Sequence, residues 1–90
     1  MSKMIITVVG KDTIGIIAKV CTYLADNNMN ILDITQTIVQ GYFNMMMIVD
    51  VTHIEGRFET VVSELVALGQ GMGVQVKCQR EEIFDMMHRI

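Results

Sequence analysis

Asp12 and Gly15 stand where a run of strand-forming residues gives way to a helical pattern, and Asn30 opens the next strand-like segment. The chemistry on offer there is recognition of a zwitterion. A helix begins with unpaired amides and a partial positive charge, which suits a carboxylate. Gly15 would let a ligand or a neighbouring backbone approach without meeting a Cβ. Asp12 can pair with an ammonium group, and Asn30 offers both a donor and an acceptor. Each residue also has a purely structural role open to it. Asp12 can cap the helix, Gly15 can let the helix pack closely on a sheet, and Asn30 can end the preceding turn.

The other reactive residue types carry less. Cys21 and Cys78, the only two cysteines, sit far apart in apolar stretches. They read as buried free thiols, not as a disulfide framework or a thiolate metal site. Met45-Met46-Met47 reads as adaptable packing, and His53 and His88 stand alone among polar neighbours as surface residues. Thr35 and Gln36 read as polar residues of an edge strand. No nucleophile has a base beside it, so neither catalysis nor a cofactor or metal site is expected.

The elements that must position these residues follow from periodicity. Met4–Val9 is a nearly continuous apolar run ended by Gly10, as expected of a central strand. Asp12 or Thr13 supplies the cap of a helix whose apolar face comprises Ile14, Ile17, Ala18, Cys21, Leu24 and Ala25. Asp26-Asn27-Asn28 closes it. From Asn30 to Gln40 the residues alternate, with Leu32, Ile34 and Ile38 on one parity, which predicts a strand with one buried face. Gln40-Gly41 turns the chain into a second strand, Tyr42–Val51, apolar on both parities and so expected to be covered on both faces.

A loop over 52–56 then leads to a second helix marked by Phe58, Val61, Val62, Leu65 and Val66. Gly69, Gly71 and Gly73 end it, and Val74–Cys78 is a last short strand. Ile83, Phe84 and Met87 predict a C-terminal helix over about 80–90, able to cover the sheet face that carries Tyr42, Met46 and Ile48 or equally to dock on a partner subunit. The order is βαββαβ plus that helix. It specifies an α+β, ferredoxin-like domain: a four-stranded antiparallel sheet, strand order 4-1-3-2, with two helices on one face. That order puts the two most apolar strands in the middle. One domain over 1–90 is expected, with its core at about 3–78.

The segment Thr7–Ala18 resembles the opening signature of the ACT domain family, in which a first strand leads to an Asp and a Gly at the mouth of the first helix. Asn30-Ile31-Leu32-Asp33-Ile34 resembles the family's second strand, which often opens with Asn-Ile. Asp33–Thr37 with Tyr42–Met46, and the ending Arg80–Phe84 with Met87–Ile90, are similar to stand-alone bacterial ACT proteins. Those in turn resemble the halves of the glycine cleavage system's transcriptional repressor. The resemblance implies a regulator that pairs edge to edge as a homodimer and binds an amino acid between the copies. Carried over residue by residue, it implies ligand contacts from Lys11, Asp12, Thr13, Ile14, Gly15 and Ile16, and from Asn30 and Ile31 of the neighbour.

Rival classes fit less well. An acylphosphatase of the same topology needs an arginine in the first loop, and a metallochaperone needs Cys-x-x-Cys there; Gly10–Gly15 has neither. A protein-interaction module that pairs with itself or a partner and binds no small ligand remains open. The composition accords with pairing, since 51% hydrophobic residues is much for 90 residues to hide alone. A net charge of −3 disfavours nucleic-acid binding. With no signal-peptide pattern and no apolar stretch near the roughly 20 residues of a membrane helix, a soluble, cytoplasmic protein is expected.

Overall fold

The computed structural model describes residues 2–11 and 15–81. Its first strand, β1 (Lys3–Lys11), pairs antiparallel with β3 (Tyr42–Asp50) on one side and β4 (Val74–Arg80) on the other. Strand β2 (Asn30–Val39) pairs with the far edge of β3, giving the order β2-β3-β1-β4. This is the expected ferredoxin-like sheet, read from its other edge. Helices α1 (Ile16–Asp26) and α2 (Phe58–Gly71) cover one face. Between them and the sheet lies a core that includes Met4, Ile6 and Val8 of β1, Met45, Met47 and Val49 of β3, and Val20, Leu24, Val61 and Leu65 of the helices.

The structure revises several details. Gly10 does not end β1: it pairs with Phe43 and Val74 inside the sheet, and a Cβ there would lie 2.8 Å from Val74 Cγ1. The buried face of α1 is Ile16, Val20 and Leu24, with Ile17 and Cys21 half-buried, while Ala18 and Ala25 are exposed. The helix begins at Ile16 behind Gly15, not at an Asp12-Thr13 cap. Gly69 lies within α2 and is buried, its missing Cβ making room for Val76. The expected loop at 52–56 is a kinked 3-10 segment, Thr52–Arg57, that buries Ile54. Strand β4 runs on to Arg80 and Glu81 is helical; residues 82–90, where most of the C-terminal helix was expected, lie outside the described residues.

The largest revision concerns β2 and β3. The hairpin itself is as expected, a two-residue turn at Gln40 (φ 51°) and Gly41 (φ 82°), the left-handed pair that suits strand twist. Strand β2, however, buries no face: Ile31 is half-buried and the rest is exposed. A bulge at Leu32 shifts the register, so that Ile31 and then Ile34, Gln36 and Ile38 stand opposite the buried Val49, Met47, Met45 and Phe43. They point toward the helical side, but the helices do not reach over this edge. Strand β3 buries one parity only, leaving Tyr42, Asn44 and Met46 exposed on the other face.

Candidate functional site

Gly15 owes its identity to backbone geometry. It is the N-cap of α1 in the left-handed conformation (φ 84°, ψ 1°), where a Cβ is disfavoured. Among the described residues nothing lies within 4 Å of where a Cβ would stand, so the packing role open to it in the sequence does not apply. The glycine carries no capping side chain, and its carbonyl accepts from Lys19 N at 3.0 Å. The first amides of α1 therefore open beside an exposed, left-handed turn. Ile16 is 2% exposed and anchors the helix in the core, which leaves only its backbone for a ligand. Lys11 is exposed at the end of β1, opposite Tyr42. Asp12, Thr13 and Ile14 lie outside the described residues.

Asn30 stands elsewhere. After α1 the chain turns through Asn27, whose side-chain amide donates to Tyr23 O at 2.9 Å, and Asn28, left-handed at φ 59°. Met29 is buried, its amide donating to Leu24 O at 2.9 Å. Asn30 then emerges exposed at the start of β2, opposite Asp50 at the end of β3. Ile31 packs its side chain against the core. The Asp50 carboxylate accepts from Thr52 N at 2.9 Å and Thr52 Oγ1 at 2.6 Å, and these bonds hold it below the usual carboxylate range. Ser2 is tied to the same corner, with Val51 N donating to its carbonyl at 2.8 Å.

This corner gathers a residue that the sequence reading set aside as a lone surface histidine. His53 joins Asn28, Met29 and Asn30 in lining an open cavity of about 500 Å³. The signal was available in the hairpin: a two-residue turn at 40–41 puts the start of β2 beside the end of β3, and His53 follows that end closely.

The two half-sites do not meet within one chain. Lys11 and Gly15 lie at the end of the sheet marked by Tyr42 and Val39, whereas Asn30 lies at the end marked by Asp50 and Lys3. The length of β1 separates them, roughly 26 Å at about 3.3 Å per residue.

A second cavity, about 660 Å³, opens between the start of α2 and the end of β4. The Arg80 guanidinium lies 4.0 Å from the centre of the Phe58 ring, and Arg57 Nη1 donates to Asn27 Oδ1 at 3.4 Å. Cys78 borders this cavity, and burial pushes its thiol up to about 12, far from a reactive thiolate. Both cysteines are free, half-buried thiols. Among the described residues no three His, Cys, Asp or Glu gather as metal ligands, and no helix is long and apolar enough to cross a membrane.

The fold thus defines the class: a ferredoxin-like domain with a glycine-capped first helix and an uncovered edge strand. Residues 2–79 match the ACT domain family, and the chain belongs to it. It is 61% identical over 90 residues to a UPF0237 protein of Bifidobacterium longum, covering 100% of each chain. The structure of an ACT domain protein from Streptococcus pneumoniae superposes with a TM-score of 0.81 at 40% identity, covering 93% of this chain and 94% of that one. A candidate glycine cleavage system transcriptional repressor shares the fold at 24% identity and a TM-score of 0.78, over 88% of this chain and 45% of that one. ACT domains are typically regulatory and ligand-binding.

Proposed function

We propose that this ACT-domain protein is a cytoplasmic, non-catalytic regulator that binds an amino acid between two copies of the chain. The observation that carries this reading is the placement of the half-sites at opposite ends of a sheet whose β2 edge is uncovered. Two-fold pairing of β2 with β2 of a second copy sets the two strands antiparallel. It carries Asn30 and Ile31 of the second copy toward the end where Lys11, Gly15 and Ile16 lie, with Asp12, Thr13 and Ile14 between them in sequence as the other proposed contacts. The ligand carboxylate then faces the first amides of α1, and its ammonium group the Asn30 side chain. Pairing also covers Ile34 and Ile38, which are 43% and 59% exposed.

Sedimentation and a thermal-shift screen of the common amino acids test the reading together. The expected mass is that of two chains, reduced to one by Ile34→Lys combined with Ile38→Lys. At about a hundredfold over its Kd, a ligand adds roughly 2.7 kcal/mol, on the order of 10 °C in Tm for a domain this small. A dilution-stable monomer would overturn the shared site. The uncovered edge also favours a second reading, a module that pairs with itself or a protein partner and binds no small ligand. A dimer that no amino acid stabilises would select it.

A further inference from the structure

We propose that His53 reads the side chain of the bound ligand, and that the ligand is an amino acid whose side chain carries an uncharged hydrogen-bonding group. The inference rests on the amino-acid reading above and adds a residue and a ligand class to it. Its basis is the cavity of about 500 Å³ beside the start of β2, lined by Asn28, Met29, Asn30 and His53. If the Asn30 amide takes the head of the ligand, Asn28 and His53 are the polar groups left to meet its side chain.

Three observations converge on that role. First, among the described residues the side chains of Asn28, Asn30 and His53 make no hydrogen bond, so the fold has not recruited them for itself. Second, the backbone fixes where they stand. Asn28 is held left-handed at φ 59°, Met29 is tied to Leu24 O, and His53 follows directly on the Asp50–Thr52 hydrogen bonds. Third, Asp50, the carboxylate opposite Asn30, is already engaged by Thr52. Two amides and an imidazole therefore present both donors and acceptors in a cavity whose apolar member, Met29, is 4% exposed.

Asn28, Asn30 and His53 are exposed in the single chain, so it is the second copy, closing over a bound ligand, that strips water from those groups. A hydrogen-bonding side chain replaces the water, whereas an apolar one of equal size leaves the groups unpaired. Sites built this way reject the apolar analogue by large factors, tenfold being a low bound.

The test is calorimetry on the full chain with matched pairs: serine against alanine, threonine against valine, and glutamine against methionine. The polar member of the best-binding pair is expected to bind at least about tenfold tighter. His53→Ala should reduce that ratio to about threefold or less, and His53→Gln, which keeps a donor and an acceptor, should restore part of it. Asn30→Ala should weaken both members of a pair alike, because it acts on the common head group. Apolar members that bind as tightly as polar ones, or a ratio unchanged in His53→Ala, would overturn the assignment of His53 while leaving the amino-acid reading standing. Failure of every amino acid to bind would sink both.

Discussion

The sheet has two edges, and they are finished differently. At the β4 edge Val74 and Val76 are 5% exposed, and α2 lies so close that Gly69 has no room for a Cβ against Val76. At the β2 edge Leu32, Ile34, Ile38 and Val39 are between 42% and 65% exposed. Both strands mix apolar and polar residues, so composition does not separate them. What separates them is the helical layer, which packs over β4, β1 and β3 and reaches β2 only at Ile31. An uncovered apolar edge invites another strand. The lesson is that one edge is sealed into the core and the other is left uncovered, as the proposed pairing requires.

Substitutions at the two edges should therefore differ widely in cost. Leu65→Ala, on the buried face of the α2 that seals the β4 side, should cost about 2–5 kcal/mol in urea unfolding. Gly69→Ala introduces a Cβ into Val76 and should cost about 1–3 kcal/mol; a neutral result would mean that α2 is seated less closely than the contact implies. Ile38→Thr on β2 should change the stability of the dilute single chain by no more than about 0.5 kcal/mol. A cost approaching that of Leu65→Ala would erase the distinction between the edges.

A further effect is alkaline. Burial holds the Cys78 thiol neutral to about 12 in the folded chain against an ordinary value of 9.0. A raised pKa contributes stability that is complete below about pH 9 and is lost as pH rises from there toward 12. Tyr23, whose hydroxyl donates to Glu64 Oε1 at 2.5 Å, is raised by burial and by that bond, so it acts in the same direction above its ordinary 10.0. Urea midpoints at pH 8 and pH 10.5 should thus differ less in Cys78→Val than in the native chain. An unchanged difference would leave Tyr23 as the source.

Much of the fold was legible along the chain. The hairpin turn at Gln40-Gly41, the close of α1 at Asp26–Asn28 and the strand order all follow from local turn chemistry and hydrophobic period. The burial of individual faces was less so. The alternation of Ile34 and Ile38 was real, but alternation marks which residues share a face and not whether anything covers it. The α1 stripe matches only in part: Ile17, Cys21 and Leu24 pack on the core while Ala18 and Ala25 face out, because alanines beside an apolar stripe fit helical spacing whether or not they are covered. Gly69 was taken as a terminator because glycine near a helix end reads alike whether it stops the helix or admits a neighbour.

The sequence by itself determined the topology and the chemical types at the candidate site, because period, turns and caps are written in residues close together along the chain. Only the tertiary structure decided that Gly15 and Asn30 stand at opposite ends of one sheet and that His53 stands beside Asn30. Those distances depend on strand register, on the bulge at Leu32 and on where the helical layer ends, none of which a local pattern encodes.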